Sequence, residues 1–317
     1  MNSTDPRTVL ITGSTGLVGS ALAEFLAANG HEVRTLVRRE PASASEFRWD
    51  PTVGFFDSRA MEGASAIVHL AGEGIASGRW TRARKEEILR SRVEGTRLVA
   101  EAIRNAKAKP RVLVTASAIG FYGDRGEEPL DESSAKGTGF LAEVCEAWET
   151  AAGDLPDVRC VQLRTGVILS SAGGALKTML LPFKLGLGGR LGHGRQWTSW
   201  ITMTDEIRAI DHVLATEGLR GPVNLVAPNA ARNADYTRVL AKVSRRPAIF
   251  PAPAFALRLA LGEMADELLL ASQHVMPRAL EESGFEFAHP KLEAAMRHEM
   301  SIGRDDHQSR RPVREVG

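Results

Sequence analysis

The sequence predicts an α/β fold, a doubly wound parallel sheet followed by a smaller, mainly helical C-terminal cap region. Three observations carry this. Residues 8–19, Thr-Val-Leu-Ile-Thr-Gly-Ser-Thr-Gly-Leu-Val-Gly, pass from a β-branched apolar run through Gly13 and Gly16 into an apolar pattern of helical period. Up to about residue 170, short apolar strands alternate with amphipathic helices, the pattern of parallel βαβ units. Beyond it the chain changes character to a glycine-rich loop and a series of helices.

The opening stretch reads as strand, tight turn and helix. Gly13 allows the turn, Gly16 lets the backbone approach a pyrophosphate, and Gly19 lets the helix lie close to the sheet. Bare N–H groups and the positive end of the helix dipole make that helix start a site for an anion, typically a phosphate. The helix carries the stripe Leu17, Val18, Ala21, Leu22, Phe25, Leu26 and stops at Asn29-Gly30. A second strand over 31–37 ends at Arg38-Arg39. In a dinucleotide-binding fold an acidic residue here would hold the adenosine ribose hydroxyls, whereas an arginine accommodates a 2′-phosphate. The pair argues for NADP(H) over NAD(H); the alternative is two solvated loop arginines.

Residues 40–60 are irregular apart from a candidate strand at Phe47-Arg-Trp49. The buried strand Ala66-Ile-Val-His69 then breaks into Leu70, Ala71 and Gly72, small enough to admit a ligand at the strand's C-terminal end. His69 stands beside that position, and a packed, hydrogen-bonded histidine is the ordinary alternative to a ligand contact. Residues 79–107 form one or two amphipathic helices. Between 79 and 97 seven basic residues face three acidic ones, either a solvated surface or an approach field for phosphorylated ligands. The strand over 111–117 ends at Ser117, whose hydroxyl is placed to hydrogen-bond a substrate carbonyl or hydroxyl. A helix over 139–151 and a strand over 158–163 follow.

Gly173-Gly174 opens a further helix. The glycine-rich run at 185–197 is not a second nucleotide fingerprint, since no strand feeds it and no helix follows directly. It reads as a flexible basic and aromatic loop, a substrate lid or a plain surface loop. Residues 200–206 begin a helix, 221–226 form a last core strand, and helices are predicted over 232–244, 254–270, 276–284 and 291–300. Residues 8–170, completed by about 197–230, thus form a dinucleotide-binding unit, with 171–196 and 231–303 as the cap. The ends, 1–7 and from 304, read as disordered.

With 43% apolar and 25% charged residues and a net charge of +1, nothing points to nucleic acid or an acidic membrane surface as an obligate partner. Cys145 and Cys160 lie in apolar periodic segments and read as reduced, buried thiols, not as a metal cluster. No leader and no run of 18 apolar residues occurs, so the expectation is a soluble cytoplasmic monomer or homodimer with a small-molecule substrate.

These residues resemble the extended short-chain dehydrogenase/reductase superfamily, the nucleotide-sugar epimerases and dehydratases, over residues 8–300. The resemblance is carried by the Gly13–Gly19 turn, His69-Leu-Ala71, Arg92-Val-Glu-Gly95-Thr96, the Ser117 strand with Tyr122-Gly123, Leu163-Arg164 and Trp200-Ile-Thr-Met-Thr-Asp205. More narrowly the chain resembles the epimerase family subgroup with a C-terminal domain of unknown function (DUF1731-like). Its marks are Leu70-Ala-Gly-Glu73, Arg79-Trp80, Ser91-Arg92, Leu163-Arg-Thr-Gly-Val167, Phe183-Lys-Leu-Gly-Leu-Gly-Gly189 and the Gly192, Gly194, Gln196 pattern. The resemblance implies an NADP(H)-binding Rossmann sheet, with Gly13, Thr15, Gly16, Leu17, Val18, Arg38, His69, Leu70, Ala71 and Ser91 at the cofactor.

It also implies a Ser/Thr, Tyr, Lys set with the last two spaced Tyr-x-x-x-Lys. The chain has only Tyr122 and Tyr236, followed four residues on by Gly126 and Leu240, so the dyad does not exist. Phe140 and Val144 stand where it would fall. Ser117 matches the serine if one extra residue precedes Tyr-Gly. Tyr122 is then the first candidate acid/base and Glu143 the second. Two readings stay open: an epimerase- or oxidoreductase-like enzyme acting on a hydroxyl or carbonyl of a small, nucleotide-linked or free substrate, and an NADP(H)-sensing protein with little turnover.

Overall fold

The computed structural model describes the backbone of residues 7–309 and the side chains of residues 7–302; the expectation for residues 1–6 and 310–317 lies outside the described residues. In chain order the first half runs β1 (Thr8–Thr12), α1 (Leu17–Ala28), β2 (Glu32–Val37), β3 (Glu46–Asp50), β4 (Phe55–Phe56), β5 (Ala66–His69), α2 (Arg82–Asn105), β6 (Val112–Ala118), β7 (Pro129–Leu130), α3 (Phe140–Thr150) and β8 (Arg159–Thr165). The second half adds β9 (Val167–Leu169), α4 (Gly174–Lys184), β10 (Trp197–Thr198), β11 (Trp200–Thr202), α5 (Met203–Ala215), β12 (Gly221–Leu225), β13 (Ala231–Arg232), α6 (Asn233–Ser244), α7 (Ala254–Leu261) and β14 (His274–Val275).

Eight strands form one sheet in the order β12-β8-β6-β5-β1-β2-β3-β4, parallel throughout except for the antiparallel β3–β4 pair. The chain winds outward from β1 through β2 to β3, then crosses back to β5 on the other side of β1. The sheet therefore changes direction between β1 and β5, where open α/β sheets bind ligands. Strand alternation sorts the core into two layers. Val9 and Ile11 of β1 pack with Leu22 and Leu26 of α1 and Ile210 and Val213 of α5; Leu10, between them, packs on the other face with Val99 and Ile103 of α2.

A third core joins α4, α6 and the last helix through Leu176, Leu180, Trp200, Tyr236, Leu240 and Met296. The C-terminal segment also reaches back to two helix ends of the sheet unit. The Glu267 carboxylate accepts from Phe140 N (2.8 Å) and Leu141 N (2.7 Å) at the start of α3. Glu299 accepts from Thr204 N (3.4 Å) in the first turn of α5, and burial pushes its carboxyl up to about 7.

Where the structure differs from the sequence reading, the cause is local. The helix expected over 254–270 ends at Leu261, because Gly262 turns to φ +66° and the chain continues as Glu263–Ala265 and a π-helical turn, Asp266–Leu270. The helix expected over 276–284 is the shorter Arg278–Glu282, preceded by β14. The last helix, Leu292–Ser309, runs on past residue 304, where a disordered tail was expected. Both cysteines are free; Cys145 is buried and Cys160 half-buried.

Two tests follow. A Cβ on Gly19 would lie 2.2 Å from the Gly13 carbonyl oxygen, so Gly19→Ala should cost about 1–3 kcal/mol of stability in denaturant unfolding. Glu206, sealed within α5, accepts one bond from Thr165 Oγ1 (3.0 Å) and has an unpartnered Oε2; burial pushes its carboxyl up to about 8. A folded pKa above the unfolded one means its contribution is fully present below about pH 4.5 and lost as pH rises towards 8. Glu206→Gln should therefore be more stable than wild type at pH 8 by at least ~1 kcal/mol, with the gap closing on acidification in thermal melts.

Candidate functional site

Thr12 closes β1 with a hydroxyl that uses all of its hydrogen-bonding capacity. Its Oγ1 accepts from Leu70 N (3.1 Å) and Ala71 N (3.2 Å) and lies 2.7 Å from His69 Nδ1, to which it donates. The ends of β1 and β5 are thereby tied side by side at the switch of strand order. His69 is then the tautomer with its proton on Nε2, which is buried and unpartnered. Burial pushes its pKa down to about 4, and Trp49 packs edge-on to the ring at 5.8 Å. The ring lies beneath the site, as a packed core histidine, and is not among the residues lining the cleft above it.

That cleft holds about 480 Å³ and runs along the C-terminal ends of β1, β2 and β5. Gly13, Thr15, Gly16, Arg38, Leu70, Ala71 and Ser91 line it, as the sequence suggested for a cofactor site. Gly13 turns at φ +70°, and a Cβ there would sit 2.9 Å from Ala71 N. Leu17 and Val18 pack their side chains against the core, so only their backbone faces the turn. Ser91 Oγ donates to Ile88 O and accepts from Glu73 N (3.2 Å), which fixes the loop after β5 against α2.

The helix ends separate this cleft from the rest of the molecule. The start of α2 is capped by Thr81 Oγ1, α3 by the Glu267 carboxylate, and α5 by Thr202 Oγ1 together with Glu299. The start of α1, at Gly16, carries no side-chain cap. Its free N–H groups and dipole end point into the cleft, an arrangement that favours an anion. The two arginines after β2 differ as well. Arg39 is held by both Glu46 oxygens (2.8 and 2.6 Å), whereas Arg38 lines the cleft and, among the described residues, has no hydrogen-bond or ion-pair partner. Trp49, Pro51 and Thr52 form the outer wall.

The sequence-predicted catalytic pair is placed differently. Tyr122 is fully buried, donating to Asn224 Oδ1 (2.7 Å) and accepting from Arg164 Nη1 (3.0 Å); burial pushes its phenol up to about 12. Ser117 Oγ donates to Glu149 Oε1 (2.7 Å), and that carboxylate also grips Arg164 at 2.9 and 2.8 Å. Both belong to a buried network in which the Arg164 guanidinium lies 3.5 Å from the Phe121 ring centroid. The structure thus places Tyr122, the expected acid/base, inside this network, and turns the Ser117 hydroxyl to the Glu149 carboxylate. The extra residue between Ser117 and Tyr122 falls in the 3₁₀ turn Ile119–Tyr122, which carries the tyrosine under the sheet edge.

Phe140, which the resemblance set at the tyrosine position, opens α3. Trp80 packs against its ring at 5.1 Å and the Lys85 ammonium stands 4.8 Å from the ring centroid. Val144 is buried, and Glu143 points outward, exposed, away from the clefts. On the far side of α3 lies a recess of about 260 Å³ lined by Gly120, Asp124, Leu141, His193, Arg258 and Glu267 among others. His193 comes from the glycine-rich loop; its Nδ1 accepts from Arg195 N (3.0 Å), which leaves the proton on Nε2. Sequence reasoning missed Glu267 because its partner, the bare start of α3, lies over 120 residues away.

A model of the NAD dependent epimerase/dehydratase family matches residues 9–227, and one of a domain of unknown function (DUF1731) matches residues 252–299. An epimerase family protein of Mycobacterium bovis is 43% identical over 290 residues, 91% of this chain and 96% of its own. The human epimerase family protein SDR39U1 is 36% identical, over 91% of this chain and 98% of its own. A crystal structure of that human protein (isoform 2) with NADPH aligns with a TM-score of 0.85 at 34% identity, over 93% of this chain and 99% of the other. A Bordetella bronchiseptica enzyme solved with NAD and UDP, 19% identical with a TM-score of 0.73 over 96% of each chain, shares the fold.

The buried network yields a test of its own. Tyr122→Phe should lower stability by about 1–3 kcal/mol in denaturant titrations, since Asn224 and Arg164 each lose a partner. It should leave NADPH affinity unchanged by fluorescence titration.

Proposed function

Because the chain belongs to the NAD dependent epimerase/dehydratase family, with a DUF1731 segment at its C-terminal side, we propose that it binds NADP(H) in the β1/β5 cleft and acts as an atypical short-chain dehydrogenase/reductase on a hydroxyl or carbonyl of a small substrate. The uncapped start of α1 is the observation that carries this reading. The starts of α4, α6 and α7 also lack a side-chain cap, but of these four that of α1 is the one that lies where the strand order switches. Thr15, Gly16 and the N–H groups of Leu17 and Val18 would hold the pyrophosphate. Arg38 would meet the 2′-phosphate, while Arg39, tied to Glu46, would not. Trp49 and Pro51 offer a flat apolar wall for the adenine, and Leu70, Ala71 and Ser91 close the floor. The relative solved with NADPH supports the choice of cofactor.

Bound there, the nicotinamide supplies or accepts a hydride. The chain's own part is to place a substrate, for which the recess beside α3 is the candidate, and to move a proton. The usual tyrosine relay is replaced by Phe140, and Tyr122 is sealed in the interior, so the proton must be held elsewhere. His193 Nε2, at the edge of the recess, is the candidate. At about 260 Å³ the recess suits a small molecule better than a whole nucleotide sugar.

Phe140 under Trp80 also favours the second reading, a cofactor sensor with little turnover. Hydride exchange from labelled NADPH over a panel of hydroxy and carbonyl compounds separates the two: robust exchange that falls in His193→Gln supports the enzyme, and tight NADPH binding without exchange supports the sensor. Cofactor choice has its own check. Arg38→Ala should weaken NADPH by roughly 1.5–3 kcal/mol and leave NADH nearly unchanged in calorimetric titrations, and equal losses for both would remove the 2′-phosphate assignment.

A further inference from the structure

The net charge of +1 conceals an uneven distribution. Residues 172–204 and 236–262 together hold nine Lys and Arg and no Asp or Glu, which leaves 31 basic against 39 acidic residues on the rest of the chain. The structure joins these two segments. Phe250 N donates to Gly188 O (3.1 Å), Ala252 N to Arg190 O (2.9 Å) and Gly192 N to Ala252 O (2.8 Å), so the loop after α4 and the lead-in to α7 form one surface.

That surface is apolar where it meets solvent. Leu181, Leu185, Leu187, Phe250, Phe255 and Leu259 are all more than half exposed, the last two at 73% and 77%. Helix α7, Ala-Phe-Ala-Leu-Arg-Leu-Ala-Leu, buries none of its eight residues. A helix that is apolar on nearly every side is ordinarily covered, and a contiguous exposed patch of this kind marks an interaction site. Lys184, Arg190, Arg245 and Arg246 stand around it, and all four are exposed. Beside it a recess of about 490 Å³ is lined by Arg190, Arg238 and Ile249, a setting for a phosphate headgroup flanked by acyl chain.

We propose that this face docks on an anionic membrane surface, with Leu185, Leu187, Phe250, Phe255 and Leu259 entering the acyl boundary and the flanking cations meeting lipid phosphates. Arg238, Lys242 and Arg258 are neutralised by Asp235, Glu293 and Asp266, but the pairing of aromatic and leucine side chains with the remaining cations Lys184, Arg190, Arg245 and Arg246 is that of an interfacial anchor, lying on the bilayer without crossing it. A second copy is disfavoured as the occupant, because a symmetric interface would set Lys184, Arg190, Arg245 and Arg246, which have no carboxylate partner among the described residues, against the same cations. This revises the expectation, drawn from net charge alone, that no acidic membrane surface is a partner. Among the described residues no helix is long and apolar enough to cross a membrane, which agrees with docking in the plane of the interface.

The test is flotation of the full chain with vesicles of phosphatidylcholine containing about 30% phosphatidylglycerol, against vesicles of phosphatidylcholine alone. Binding to the anionic vesicles, weakened at least tenfold by 0.5 M salt, is expected, on the order of the loss that screening imposes on several lipid-facing cations. Phe255→Glu/Leu259→Glu and Arg245→Glu/Arg246→Glu should each reduce it by about tenfold or more while circular dichroism and NADPH affinity stay as in wild type. No binding to either vesicle overturns the proposal. So does equal binding to both compositions, and so does a concentration-dependent dimer in sedimentation that Phe255→Glu/Leu259→Glu abolishes.

Discussion

Two stretches of backbone lie against each other at the start of this chain, and the cleft at the β1/β5 switch depends on how closely they approach. Gly19 of α1 sits so near the Gly13 carbonyl that no side chain fits between them. That proximity seats α1 directly beneath the turn and aims its first N–H groups along the edge of the sheet. Thr12 adds the second half of the constraint by joining the ends of β1 and β5 through one hydroxyl. With the two strand ends fixed at that spacing, the cleft between them has its width, and Arg38, on the neighbouring strand, is brought to its rim.

Helix dipoles organise the electrostatics around that cleft. The protein supplies its own carboxylates at the starts of α3 and α5 and leaves the start of α1 bare. A carboxylate at a helix N-terminus is worth a few tenths to about 1 kcal/mol, so a bare start next to a cleft favours negative charge there. The same logic accounts for Phe140. With Glu267 occupying the backbone at the head of α3, the side chain there is free to pack, and Trp80 and Lys85 enclose it.

Much of the sheet unit was legible in the sequence because its signals are local. Strand composition, helical stripes and the glycine turn each act within a dozen residues, and the structure reproduces β1, β2, β3, β5, β6, β8 and α1 to α3 with small shifts at their ends, while the two-residue strands β4 and β7 were not expected. The cleft was legible for the same reason, since Gly13, Gly16, Arg38 and Leu70, which line it, sit at strand ends that the pattern locates. His69 was read in both ways, and burial decides for the packed one. The burial of Tyr122 was not legible because it is set by Asn224 and Arg164, which lie 102 and 42 residues away and leave no periodicity to detect. The break at Gly262 escaped notice because the apolar helical pattern continues through it.

Glu267 and Glu299 give the C-terminal segment a role that its position in the chain conceals. Each satisfies the head of a helix belonging to the sheet unit, so the donors at Phe140, Leu141 and Thr204 find these partners only after most of the chain exists. A truncation before residue 267 removes both clasps at once, so the heads of α3 and α5 lose these carboxylates together.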